Sequence, residues 1–246
     1  MKIALLSDIH GNLQALHSCL ADARERGAGR YAFLGDFVGY GADPHGVVDV
    51  IAEYVAHGAV AVRGNHDEAT YGSSIYMNEM AMTAIDYAKQ VLTPPQTLFL
   101  RNLPMIVRDG TCCFVHASAA SPEKYPYIDS PSAAQRCAAA SESPHTFCGH
   151  VHEQRLYFAA QEPRMMLFRP TPGIAVPVPA HRRWVTLIGS VGQPRDRNPQ
   201  AAYALFDSER LAITFCRVPY DHHAAAARIR EVGLPESIAY RVESGI

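Results

Sequence analysis

The stretch Arg30-Tyr31-Ala32-Phe33-Leu34-Gly35-Asp36 decides the fold. Its mostly apolar run reads as a buried strand, because it is too short for a helix of ordinary length. Gly35 lets the backbone turn sharply where the run ends. Asp36 then stands at the C-terminal edge of the strand, where open α/β sheets collect their ligands. Alone, an aspartate in that place is equally well explained as a turn former or a helix cap. What lies on either side of it tips the reading.

Upstream, residues 2–7 read as a first buried strand that ends in Ser7-Asp8-Ile9-His10-Gly11-Asn12. In extended backbone alternate side chains share a side, so Asp8 and His10 can converge. Asn12 suits the N-cap of a helix. Leu13, Leu16, Leu20 and Ala23 recur at helical spacing to about Arg26. Gly27 and Gly29 stop that helix. Strand, helix and strand form a β-α-β unit, expected to be parallel and right-handed. Downstream comes Gly39-Tyr40-Gly41-Ala42-Asp43-Pro44. Asp43 and Pro44 read as the cap and first position of a helix over 44–57. Tyr40 either packs within this loop or lines a substrate mouth.

A third strand over 59–63 runs into Gly64-Asn65-His66-Asp67. Asn65 offers a carbonyl oxygen to a metal. His66 can face a substrate while Asp67 orients its ring. A helical pattern covers 73–101, in which Met77, Met80 and Met82 read as packing residues. Thr93-Pro94-Pro95 begins a further short helix. A hairpin over 106–115 ends at His116, another nitrogen donor at a strand terminus. A loop over 119–131 and a helix over 131–141 follow. The strand 145–148 ends in Gly149-His150-Val151-His152, where two histidines on one side of an extended segment again suit a metal. Strands are expected over 155–158, 165–168 and 184–188, with a proline-rich loop over 170–183. A glycine-rich turn then carries Arg195. A hairpin over 201–218, a helix capped by Asp221 and a last helical turn from Pro235 complete the pattern.

The 246 residues, 48% hydrophobic, can bury a large core, and a single domain over 1–246 is expected. The formal charge of −2 argues against the wide basic surfaces that nucleic acid or an anionic membrane would require. Six cysteines without a C-x-x-C pair argue against a zinc knuckle and fit a cytoplasmic protein with reduced thiols. No run approaches 18 apolar residues, so no membrane span is expected. The pattern carries no signal of subunit assembly.

The strand-end groups share one chemistry. Asp8 with His10, Asp36, Asn65 with His66, His116, and His150 with His152 offer oxygen and nitrogen donors and no sulfur. A bridging carboxylate between two such donor sets is what a two-metal hydrolytic site needs, with the ions about 3.5–4 Å apart. Asp36 is the candidate bridge.

The ordered set D-x-H, G-D, G-N-H-D, H and G-H-x-H resembles the calcineurin-like metallophosphoesterase superfamily over residues 8–152. The stretches 39–44 and 189–195 look like a small bacterial and archaeal subgroup related to diadenosine tetraphosphatases. The resemblance implies an α/β four-layer sandwich of two mixed β-sheets flanked by helices. It implies one metal on Asp8, His10, Asp36 and His152, and a second on Asp36, Asn65, His116 and His150. His66 would stand beside the metals, paired to Asp67, and assist the leaving oxygen. Asn65, Tyr40 and Arg195 are the candidate contacts to substrate. The implied function is hydrolysis of a small phosphomonoester or phosphodiester by a metal-bridged hydroxide. The implied cofactors are two divalent ions, manganese first, with Fe, Zn, Co, Ni or Mg also allowed by the donor set. The alternatives are a diadenosine tetraphosphatase or protein phosphatase, and a non-catalytic interaction module on the same fold. Intact ligand positions and an intact His66 weigh against the module.

Overall fold

The computed structural model describes residues 1–72, 77–161 and 164–246. In chain order the strands are β1 (Lys2–Leu6), β2 (Ala28–Phe33), β3 (Val60–Ala61), β4 (Ile106–Asp109), β5 (Cys112–Val115), β6 (His145–Cys148), β7 (Gln154–Gln161), β8 (Arg164–Phe168), β9 (Ala175–Pro177), β10 (Trp184–Ile188), β11 (Ala201–Asp207) and β12 (Ala212–Val218). The helices are α1 (Leu13–Glu25), α2 (Pro44–Ala56), α3 (Asn65–Ala69), α4 (Glu79–Val91), α5 (Pro94–Asn102), α6 (Pro131–Ser141), α7 (His222–Glu231) and α8 (Glu236–Ser244).

The strands form two six-stranded sheets, ordered β3-β2-β1-β11-β12-β9 and β4-β5-β6-β10-β7-β8. Both are mixed. β1 pairs parallel with β2 and antiparallel with β11. β6 pairs parallel with β5 and β10, while β7 runs antiparallel to β10. The expected parallel pairing across the first β-α-β unit is therefore present.

The period of two in β1 explains why it is central. Ile3 and Leu5 face the core between the sheets, and Ala4 and Leu6 face the core beneath α1 and α2. β2 repeats this, with Ala32 turned inward between the sheets and Phe33 turned toward the helices. The two sheets meet through Phe147 of β6 and Phe206 of β11, whose ring centroids lie 5.1 Å apart. The outer face of the second sheet packs on α6 through Val185, Leu187, Cys137 and Ala138. Helices, sheet, sheet and helix make the four layers implied by the resemblance.

Several boundaries differ from expectation. The third strand shrinks to two residues, and beyond it the Arg63 N–H donates to the Pro104 carbonyl at 3.0 Å. The helical pattern over 73–101 resolves into α4 and α5, split at Pro94 and Pro95, and residues 73–76 lie outside the described residues. The proline-rich loop over 170–183 contains β9, which pairs only with β12 at a sheet edge, a place where proline is tolerated. Asp43 precedes α2 but makes no side-chain capping bond; its carboxylate pairs with Arg228 of α7 at 3.3 Å. Helices α7 and α8 pack against Tyr40 and Ala42 through Ala225, Ile229, Ile238 and Val242. Among the described residues no helix is long and apolar enough to cross a membrane.

Candidate metal centre

The C-terminal ends of β1, β2 and β3 in one sheet and of β5 and β6 in the other point at one spot. Asp8, His10, Asp36, Asn65, His66, His116, His150 and His152 all lie there. Three groups of donor atoms can each hold a cation: Asp8 with His10 and His152, His10 with Asp36 and His66, and Asp36 with His116 and His150.

The backbone aims these side chains in an unexpected way. Asp8, His10, Asp36, His150 and His152 have φ of 52°, 49°, 53°, 66° and 63°. Residues other than glycine rarely adopt this left-handed region, and they cluster where function requires strain. Asp8 with His10, and His150 with His152, therefore do not converge by strand alternation. Tight left-handed turns past the strand ends bring them together. Hydrogen bonds hold those turns: Asp8 N–H donates to the Gly35 carbonyl at 3.0 Å, and His10 N–H to the Asp36 carbonyl at 2.9 Å. The turn that carries Arg195 clasps the first loop, since Val191 and Gly192 donate to the Ser7 and Asp8 carbonyls, each at 2.9 Å.

The histidine tautomers follow from their partners. A carbonyl oxygen only accepts, so a ring nitrogen bonded to one carries the proton. His10 Nδ1 donates to the Val38 carbonyl at 3.0 Å, and His152 Nδ1 to the Gln193 carbonyl at 2.7 Å. Their Nε2 atoms thus present lone pairs, yet they face each other at 3.1 Å. His152 Nε2 also lies 3.2 Å from Asp8 Oδ1. On the other side, His116 Nδ1 donates to the Leu34 carbonyl at 2.7 Å. Its Nε2 faces Asp36 Oδ2 at 3.3 Å, Asn65 Oδ1 at 3.2 Å and His150 Nδ1 at 3.2 Å. Donor atoms packed at such distances need a proton or a metal cation among them. The donor set therefore fits divalent metals, and the carbonyl-anchored imidazoles are the usual support for metal-ligating histidine.

Asp36 joins the two sets. Its Oδ1 accepts from the His66 N–H at 2.8 Å. Its Oδ2 lies 3.3 Å from His116 Nε2, 3.8 Å from His10 Nε2 and 4.0 Å from His66 Nε2. Burial raises the cost of charging Asp8 and Asp36, but His152 beside the first and His116 beside the second outweigh it, so both stay well below the usual carboxylate range. Burial disfavours the charged form of His116 too; the Asp36 carboxylate outweighs it and pushes the pKa up to about 9. Burial dominates for His66 and His150, whose pKa values fall to about 4 and about 3.

The pairing expected between His66 and Asp67 is absent. Asp67 turns its carboxylate into the backbone, accepting from the N–H groups of Asp36, Phe37 and Gly64 at 2.8 Å each and of Val38 at 3.3 Å. It shapes the loop that carries Asp36. Burial and the nearby Asp36 carboxylate push its pKa up to about 7, against those donors. The His66 ring lies against Gly39, and its buried Nδ1 has no hydrogen-bond partner among the described residues.

Tyr40 is buried, with its ring centroid 4.8 Å from those of both His10 and His66. The Arg195 Cζ lies 5.9 Å from the Tyr40 ring centroid. Arg195 donates from Nη2 to Gln193 Oε1 at 3.1 Å, while its buried Nε has no partner. Among the described residues it makes no ion pair. Sequence reasoning missed the carbonyl anchors, which carry no side-chain signature, and Tyr127, whose ring stacks on His150 with centroids 4.1 Å apart.

The model of the calcineurin-like phosphoesterase superfamily domain matches residues 1–210. The chain belongs to that superfamily. Among its relatives, the chain is 33% identical to a metallophosphoesterase from Sphaerobacter thermophilus, with full coverage of both chains and a TM-score of 0.89. It is 32% identical to the uncharacterized protein MJ0912 of Methanocaldococcus jannaschii, over 99% of this chain and 98% of that one. It is 28% identical to phosphodiesterase YfcE of Escherichia coli, over 87% of this chain and 91% of that one. The superfamily match stops before α7 and α8, which pack on the Tyr40 loop.

Proposed function

We propose that the protein is a dinuclear metal-dependent phosphoesterase acting on small phosphomonoesters or phosphodiesters. The observation that carries this reading is the position of Asp36 Oδ2 between two sets of lone-pair donors, one from Asp8, His10 and His152 and one from Asn65, His116 and His150. Divalent ions held there, with manganese the first candidate, would polarise phosphoryl oxygens and make a water acidic enough to supply the nucleophile.

The chain's own residues divide the remaining work. Asp8, Asp36 and the four histidine ligands hold charge in a buried site, where it acts strongly on a phosphoryl group. His66 stands beside Asp36 without a carbonyl anchor among the described residues, free to face the leaving oxygen and donate a hydrogen bond to it. Arg195, with no carboxylate partner among the described residues, can bind a non-reacting phosphoryl oxygen beside Tyr40.

The test is hydrolysis of p-nitrophenyl phosphate and of bis-p-nitrophenyl phosphate by chelator-stripped protein, before and after Mn²⁺ is restored. Metal-dependent turnover is expected, and the preferred ester separates monoesterase from diesterase. No turnover on either, with two ions per chain bound, would overturn the reading.

A further inference from the structure

Tyr127 is 55% exposed although it lies directly against a metal-site histidine. Its ring stacks on the His150 ring, with an interplanar angle of 29°. One face is thus covered and the other stays open beside the Asp36, His116 and His150 donors. Single exposed aromatics are ordinary on protein surfaces. This one differs in being clamped. Two residues before it, buried Tyr125 donates from its hydroxyl to Glu68 Oε2 at 2.8 Å. One residue after it, Ile128 is sunk in the core beneath α6. A ring held this way loses little freedom when something stacks on it.

His150 does not need the ring to hold it in place. Its backbone N–H donates to the Asp8 carboxylate at 2.9 Å, and its Nδ1 already faces His116. An aliphatic side chain would shield it equally well. What an aromatic adds is a flat, open, electron-rich face beside the reacting phosphorus, suited to offset stacking.

We propose that Tyr127 is the stacking platform for a planar ring in the alcohol part of the substrate, so that the favoured esters carry an aryl group or a nucleobase rather than an alkyl chain. This rests on the phosphoesterase reading for the placement of the phosphoryl group. Base-on-aromatic stacking changes affinity by about five- to a hundred-fold.

The test uses binding, which needs no turnover. Phenylphosphonate, the 5′-methylenephosphonate analogue of uridine 5′-monophosphate and methylphosphonate are titrated by calorimetry into the Mn²⁺-loaded full chain, as wild type, Tyr127→Phe, Tyr127→Leu and Tyr127→Ala, with metal content measured for each. Tyr127→Ala and Tyr127→Leu are expected to weaken a ring-bearing ligand about five- to a hundred-fold and to leave methylphosphonate within about twofold, while Tyr127→Phe retains binding. A loss confined to phenylphosphonate identifies an aryl group, and one confined to the nucleotide identifies a nucleobase. Equal losses for all three ligands, or lost metal, would make Tyr127 a prop for His150 and overturn the proposal. No loss for any ligand would overturn it as well. If the wild type hydrolyses no ester, the phosphoesterase reading fails, and these titrations still decide whether Tyr127 stacks.

Discussion

Asp36 and His66 are adjacent in space, yet their removal should have different consequences. Asp36→Asn takes away the charge shared by both donor sets while keeping the shape, so it should cost most bound metal and turnover together. His66 is hydrogen-bonded to the site through its backbone, not its ring. His66→Ala should therefore retain both ions and lower kcat by about a hundred- to ten-thousand-fold, the usual range for a lost acid or base. Metal analysis beside kcat checks both; equal metal loss in the two variants would make His66 a ligand. At this scale the sequence showed well which side chains the fold brings together, and their orientation poorly. The motifs placed every donor at a strand end. They could not show left-handed backbone at Asp8 or His152, nor the carbonyls of Val38, Leu34 and Gln193 that set the ring tautomers. Every residue has a carbonyl, so nothing in the sequence singles these out. Asp67 misled for a related reason: adjacency to His66 suggested a pair, but unsatisfied backbone N–H groups took the carboxylate.

Gly64 links the shortest strand to the centre, and its lack of a side chain is required there. A Cβ at this position would lie 2.1 Å from Asp36 Oδ1 and 2.4 Å from the Asp36 amide nitrogen. Gly64→Ala should push Asp36 aside, so metal content and turnover should fall together while far-ultraviolet circular dichroism stays native; full metal occupancy would refute this. On β6, His145 is buried with Nε2 2.7 Å from the Val178 carbonyl, and burial holds its pKa below the usual 6.5. The unfolded chain therefore takes up a proton at this residue before the folded one does. Its contribution to stability is complete above about pH 6.5 and is lost as pH falls toward the lower folded value. Wild type should lose more Tm than His145→Phe between about pH 7.5 and about pH 5.5; parallel losses would show that other groups set the acid limb. Elements buried on both faces, such as β6 and β10, were legible because their apolar runs are bounded by turn residues. β9 was not, because edge pairing tolerates proline and needs no apolar run.

At the scale of the molecule, the centre connects the two sheets. Asp8, His10, Asp36 and Asn65 follow strands of one sheet, and His116, His150 and His152 follow strands of the other. The four layers came from the family resemblance, while the β-α-β opening and the strand-rich second half were legible in the residues. The packing of α7 and α8 on the Tyr40 loop was not, since that contact joins residues nearly two hundred positions apart through small side chains. Metal-free, the sheets meet at this point through buried carboxylates that face histidines, Asp36 beside His116 at 3.3 Å and Asp8 beside His152 at 3.2 Å. Cations would draw on donors from both sheets at once, so binding should act as a staple across the whole fold. A ligand at a thousand times its Kd adds about 4 kcal/mol of stability. For a chain of this size each kcal/mol moves Tm by about 2–4 °C. Stripping the metals with a chelator should then lower Tm by about 10 °C, and restoring Mn²⁺ should recover it. Asp8→Ala in one sheet and His152→Ala in the other should shrink the shift alike, since each removes a donor from the same set. Differential scanning calorimetry reads all of these directly. A Tm indifferent to chelation would mean that the sheets hold together without the centre, and that its strained turns are maintained by the core alone.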